Sequence, residues 1–564
     1  MQRSQRVGRL VTTVLSCAAL ACQDTVTPGT PAHPPGEITI AYLCGNHFAI
    51  HNAGSETTTA HYVVLGTTES GDLLLRGESD GVPSITRLTT LERGSLRIST
   101  DEESETLENG SQVCPANELV QPGATSGEWT APFPWPHVAV HVHLLPDGRV
   151  LSWGRQGTPL LYDPSLGAFD EVPSSTHVFC GGHAFLPDGR LLVSGGHLDD
   201  RRGLPDANLF DHTTQSWIPI PKMSYARWYP TNTTLANGEM LILAGTDETG
   251  RDVEIPEVWD GSSWRALTGA ARPLPYYPRT FLAPNGLVFY AGELEESGYL
   301  DPSGNGRWVP VATSLYGRRD YGSAVMYAPG KVMILGGSDP PDGEPTRSVE
   351  LIDLNDAAPS WRYTQQMSHA RRHLNATLLL DGQVLVTGGT RSAGFSDRSG
   401  AVHAAELWDP ATEQWTQLAE NQVSRVYHST TLLLPDGRVL HAGSGDGPGV
   451  PRELTAELFS PPYLFRGVRP VIDDVPETIS YGQPFPITTP DAGQVVRATL
   501  LRLSSVTHAF DQSQRFVELA FRRTAGGLTV TAPAANVVAP PGPYLLAILN
   551  SAGIPSVARI LQLR

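Results

Sequence analysis

"FLPDGRLLVSGG", Phe185–Gly196, reads as a complete β-hairpin. An apolar strand runs into Asp188-Gly189, and a second strand, Arg190–Ser194, closes on two glycines. A two-residue turn of this kind needs positive φ, which glycine and asparagine supply at little cost. Variants of the unit occur six more times. They are "LLPDGRVLSWGR" (Leu144–Arg155), "TLANGEMLILAG" (Thr234–Gly245), "FLAPNGLVFYAG" (Phe281–Gly292), "MYAPGKVMILGG" (Met326–Gly337), "LLLDGQVLVTGG" (Leu378–Gly389) and "LLLPDGRVLHAG" (Leu432–Gly443). Their turn glycines, Gly148, Gly189, Gly238, Gly286, Gly330, Gly382 and Gly437, lie 41 to 55 residues apart. A tryptophan recurs downstream, as in "DHTTQSW" and "DPATEQW". A repeat of this length with strand pairs and small closing residues predicts a kelch-type β-propeller, and seven units predict seven blades over residues 128–460.

The flanks are also short strands. Residues 37–121 alternate apolar and polar in runs such as "HYVVLGTT" and "GSLRIST", which predicts a small β-sandwich. Beyond "LFSPPYLFRGVRP" the repeat stops, and residues 466–564 predict an immunoglobulin-like sandwich. The fold class expected is therefore all-β: a seven-bladed propeller between two sandwiches. A content of 56 Gly and 47 Pro agrees with such a turn-rich chain. The net charge of −18, with no basic run, argues against a nucleic-acid surface.

"MQRSQRVGRLVTTVLSCAALAC" (Met1–Cys22) has the build of an export signal, with Arg3, Arg6 and Arg9 ahead of an apolar core too short to span a bilayer. "ALAC" resembles a bacterial lipobox, so Cys22 is the expected lipidation site, and signal-peptide cleavage for free secretion is the alternative. Residues 1–21 are then the signal and 22–36 a Pro-rich linker. The expected product is an exported monomer, touching a membrane only through that lipid. In an oxidising compartment Cys44 and Cys114 are expected to pair as a disulfide of the first sandwich. Cys180 is left over and needs a role.

Cys180, Tyr229 and His428 each stand nine residues before the turn glycine of their own unit, in "HVFCGGHAFL", "ARWYPTNTTL" and "SRVYHSTTLLL". Equivalent positions in a ring converge on one mouth. Tyr427 adjoins His428, and the final sandwich offers His508 at a turn in "SSVTHAF". Two imidazoles with phenol oxygens and an open position suit Cu(II), which favours tetragonal N,O ligation. Against this, tyrosines and histidines near an axis commonly satisfy each other. His177, His183 and His197 flank Cys180 without ligand spacing and are expected to line the channel or surface. Arg318, Arg319 and Tyr321 are candidates for the substrate pocket.

From Pro136 onward the chain resembles the copper-radical oxidases, the family of galactose oxidase and glyoxal oxidase, with the glyoxal-oxidase-like branch nearest in wording. The resemblance rests on "FCGGHAFLPDGR", "RWYPT", "RDYGSAVMY", "SRVYHSTTLLLPDGRV" and "SSVTHAFDQSQR". It implies a thioether between Cys180 and Tyr229, forming a radical cofactor. It implies copper held by Tyr229, His428 and His508 in one plane, with Tyr427 axial and Trp228 stacked on Tyr229. It further implies oxidation of a small aldehyde, primary alcohol or sugar, with dioxygen reduced to hydrogen peroxide and no organic cofactor. The rival expectation is a noncatalytic kelch adhesin or carbohydrate-binding lipoprotein. A sialidase-like hydrolase would need arginines and carboxylates gathered about the axis, and here the arginines are spread along the chain.

Overall fold

In a computed structural model, residues 123–447 and 450–564 are described, together with the strands of an N-terminal segment between 38 and 107. Residues 1–37, with Cys22, lie outside the described residues, as do Cys114 and the side chain of Cys44. The chain divides into two units, at Gln112/Val113.

The N-terminal unit has seven described strands. Ile38–Cys44, His47–Asn52 and Ser84–Thr89 form one antiparallel sheet. Thr58–Val64, Ser70–Leu75, Leu96–Ser99 and Ser104–Leu107 form the other. Alternation decides the faces: Leu96 and Ile98 are buried while Arg97 between them is exposed. Phe48, Ile50, Val64 and Leu75 complete the core.

The second unit carries seven sheets that follow one another along the chain, each built on one of the seven hairpins. Thr231–Thr234, Met240–Leu243, Glu257–Trp259 and Trp264–Ala266 make one such sheet, paired antiparallel in order. The seven turn glycines have φ between 76° and 88°, as the two-residue turns require. Where the second strand ends, small residues face the next sheet. A Cβ on Gly195 would sit 2.3 Å from the carbonyl oxygen of Arg227, so only glycine allows this approach. The seventh sheet closes with strands from before the first: Glu128–Trp129 and Phe133–Pro134 pair with Thr455–Ser460. Both ends of the ring are thereby tied into one sheet.

The arginines that look scattered in sequence have a repeated structural duty. Arg227–Glu257, Arg319–Glu350, Arg371–Glu406 and Arg425–Glu457 are buried ion pairs in the third, fifth, sixth and seventh sheets, at 2.6–2.9 Å. Each arginine also donates to a carbonyl at the end of a second strand, Ala244, Gly336, Gly388 and Gly443 respectively. Such charges survive burial because pairing and hydrogen bonds offset the lost hydration.

Residues from 478 onward form a five-stranded and a three-stranded sheet over an aliphatic core that includes Val495, Leu500, Leu528 and Ile548. One hairpin leaves this sandwich. Ser505–Thr507 pairs antiparallel with His141–His143, the inner strand of the first propeller sheet, and turns back through Phe510–Asp511. Ser505 Oγ meets Nδ1 of His143 at 2.9 Å and of His183 at 2.7 Å. Gln512 Oε1 accepts from the backbone N–H of His183 and Asn232. The hairpin is thus held across the channel by buried polar contacts.

Candidate functional site

The residue nine positions before the turn glycine adopts the left-handed conformation in six consecutive sheets. Cys180, Tyr229, Tyr277, Tyr321, His373 and His428 have φ of 47–65°. For side chains branched into rings this conformation costs energy, and such strain gathers at functional sites. Backbone bonds link neighbours in the set. Tyr229 N–H donates to Cys180 O at 2.9 Å, and Tyr277 N–H to Tyr229 O at 3.0 Å. The first sheet has Ala139 at this position.

Four of the sequence-predicted donors meet at one point. Tyr229 Oη lies 2.7 Å from Tyr427 Oη, 2.8 Å from His508 Nε2 and 3.3 Å from His428 Nε2. The hydrogen bonds behind the imidazoles set their tautomers. His428 Nδ1 sits 2.6 Å from Gly445 O and must donate to it, which leaves Nε2 a lone pair. Thr507 Oγ1 donates to Val140 O, so it accepts from His508 Nδ1, and His508 Nε2 is likewise a lone pair. Both rings are held in the form that binds metal, with the far nitrogen fixed by a second partner.

Burial governs the charges. It lowers His428 to about 3 and His508 well below the usual imidazole value, where His428 and His141 add like-charge repulsion. It pushes the Tyr229 and Tyr427 phenols and the Cys180 thiol upward. Neutral imidazoles are the ligand form, and phenols so buried ionise only against a cation. Among the described residues no three His, Cys, Asp or Glu side chains sit in metal-binding geometry, and at this point the oxygens beside the imidazoles are those of two phenols. The donor set, two imidazoles and two phenols, fits Cu(II).

Cys180 is fully buried beside Tyr229 in a cluster with Val138, Val140, Phe179, Trp228 and Tyr277. Trp228 stacks on Tyr229, with ring centres 3.7 Å apart and planes at 12°. Tyr277 covers Tyr229 as a second stacked ring, at 4.7 Å and 29°, and also packs on His508 at 4.7 Å. Tyr321 and His373 stand edge-on to the Tyr427 ring. Tyr277 and His373 escaped the sequence reading although their offset from the turn glycine was available. Of the pocket candidates, Arg318 and Tyr321 line the cavity, whereas Arg319 turns back into its sheet to Glu350. His183 is fully buried in the channel and His177 is exposed, neither bonded to the four donors.

A cavity of about 590 Å³ opens onto Tyr229 and His508. Its walls are aromatic (Tyr276, Tyr277, Phe395) and charged in balance. Arg318 binds Glu293, and Arg372 behind the wall binds Asp320 and Asp342.

Residues 342–463 match the family model for the glyoxal oxidase N-terminus, and residues 469–563 match that for the galactose oxidase-like early set domain. Galactose oxidase of Gibberella zeae is 29% identical over 500 residues, covering 80% of this chain and 72% of that one. The aldehyde oxidase GLOX of Vitis pseudoreticulata is also 29% identical, covering 75% of this chain and 89% of its own. A solved fungal alcohol oxidase in complex with copper superposes with a TM-score of 0.72 at 26% identity, over 78% of this chain and all of that one.

Proposed function

We propose that this chain, which is similar to galactose oxidase and glyoxal oxidase, is an exported copper-radical oxidase. Its reaction is oxidation of a small aldehyde or primary alcohol, sugars included, with dioxygen reduced to hydrogen peroxide. The observation that carries this is the convergence of Tyr229, Tyr427, His428 and His508 on one point at the floor of an open cavity, beside a buried cysteine. Export rests on the signal-like first 22 residues, with Cys22 as the lipid-bearing position if the chain is anchored.

Tyr229, Tyr427, His428 and His508 would hold copper. Copper, when bound, supplies a one-electron acceptor and a positive centre for the substrate oxygen. Tyr427 takes the proton of the substrate hydroxyl or of an aldehyde hydrate. Tyr229, thioether-linked to Cys180 and oxidised by one electron, takes the hydrogen atom from the adjacent carbon. Two electrons and two protons leave the substrate in all, and dioxygen carries them away as peroxide. Trp228 and Tyr277 flank the Tyr229 ring and keep water from it. The charge-balanced cavity wall suits an uncharged, hydroxyl-bearing substrate.

Copper-loaded protein should release peroxide with at least one member of a panel of simple aldehydes, primary alcohols and sugars. Stoichiometric copper without peroxide from any of them would favour the noncatalytic carbohydrate-binding alternative.

A further inference from the structure

We propose that His197 is a positioning residue for the radical, holding the indole N–H of Trp228 so that the unpaired electron of oxidised Tyr229 is shared with Trp228. The inference rests on the oxidase reading and adds a residue to it.

Trp228 lies nearly parallel to Tyr229 at 3.7 Å, close enough for the two π systems to overlap. Its Nε1–H donates to His197 Nδ1 at 3.2 Å, with the Cys180 sulfur also within its reach. The sequence places His197 at the end of the second hairpin strand, immediately after Gly195-Gly196, and His197 N–H is anchored on His177 O at 2.9 Å. The ring is therefore delivered to the outer edge of the indole by a backbone that is itself fixed. Arg155 stands nearby but is paired with Asp200 at 2.8 Å, so its charge is offset. Burial, with His177 and Arg155 beside it, lowers His197 to about 4, leaving a neutral acceptor at ordinary pH.

Removing one electron from the stacked pair puts partial positive charge on the indole. The N–H then becomes a stronger donor, and in a poorly hydrated site the bond to an imidazole lone pair strengthens with it. His197 thereby stabilises the oxidised pair more than the reduced one. In this step one electron passes to an outer-sphere one-electron oxidant, hexacyanoferrate(III), which becomes hexacyanoferrate(II). With Tyr229 already a phenolate in the copper-loaded protein, no proton leaves either ring, and no bond forms or breaks. Tyr277, on the same phenol, has its hydroxyl committed to Gly181 O at 3.1 Å and does not substitute for this contact.

The test uses full-length, copper-loaded protein oxidised with hexacyanoferrate(III), read by the optical spectrum of the radical and its decay rate. His197→Leu and His197→Ala should each speed decay by about threefold or more and alter the spectrum. His197→Gln, which can still accept from the indole, should return towards the parent. In a Trp228→Phe background His197→Leu should change nothing. Decay at the parent rate in both His197→Leu and His197→Ala, or an equal effect of His197→Leu with and without Trp228, would overturn the inference and leave the oxidase reading standing. A parent protein that forms no radical would overturn both.

Discussion

Cys180 and Tyr229 are the residues on which the chemistry turns. Both are held in the left-handed conformation and joined by a backbone hydrogen bond, and both are fully buried. A free thiol would gain nothing from such strain. A thiol destined for the neighbouring ring gains proximity, because the two groups need no further search. Treatment with copper and oxygen should therefore remove two hydrogens from the intact mass and join the two peptides. Cys180 should then resist alkylation in the unfolded protein, and a fully alkylatable Cys180 would contradict the assignment. The donors at this scale were legible in sequence because an unusual residue stood at a repeated offset. Tyr277 and His373 were harder to see, since nothing in a tyrosine or histidine announces positive φ, which is ordinarily met by glycine or asparagine. The stacking of Trp228 followed from the resemblance, whereas the second ring, Tyr277, comes from the neighbouring sheet and needed the fold.

At the scale of elements, the hairpin that carries His508 has a two-residue turn with φ of 46° at His508 and 65° at Ala509. Both central residues pay the left-handed cost, and only His508 has a reason to. Ala509→Gly should raise stability by about 1 kcal/mol in urea unfolding without loss of copper binding. A destabilised Ala509→Gly protein would mean that the turn is shaped by something other than backbone strain. The buried arginine–glutamate pairs make an opposite prediction. Glu406 accepts from Arg371 and from the backbone N–H of Ser368 and His369. Glu406→Gln leaves the Arg371 guanidinium buried without its counter-charge and should cost about 3–5 kcal/mol, whereas replacing the partly exposed Glu413 should cost far less. Equal costs would show that the buried pairs do not hold the sheets. The hairpins of the repeat were plain from Asp-Gly and Asn-Gly spacing, but these pairs were not. Arginine and glutamate stand some 30 to 35 residues apart, the arginine just ahead of its sheet's first strand and the glutamate on the third, and only the closed sheet brings them together.

The second unit as a whole is built around histidines that burial keeps neutral. His137 and His183 are lowered to about 4 and about 3, and His141 and His143 well below their usual 6.5, chiefly by burial. Each is protonated in the unfolded chain below about 6.5 and not in the fold. Stability is thus full above that pH and is lost as the pH falls towards the folded values, by about 1.4 kcal/mol per pH unit for each group. The urea midpoint of metal-free protein should drop steeply between pH 6.5 and 4.5, and a flat profile would mean that these imidazoles are not held neutral. At this scale the all-β plan could be read from turn spacing, but the insertion of the last sandwich's hairpin into the first propeller sheet could not. That insertion is a strand pairing between residues more than 360 apart, His141 with Thr507. His183 is bonded through its ring to Ser505 at the base of the hairpin, so its loss would disturb the hairpin itself. The half-buried His403, tied to Asn421 and Ser424, serves as the control. Titration of metal-free protein with Cu(II) therefore tests the central claim most directly. His508→Ala should fold like the parent and bind copper at least about 100-fold more weakly, while His403→Ala binds as the parent does. Parent-like copper affinity in His508→Ala would contradict the assigned site.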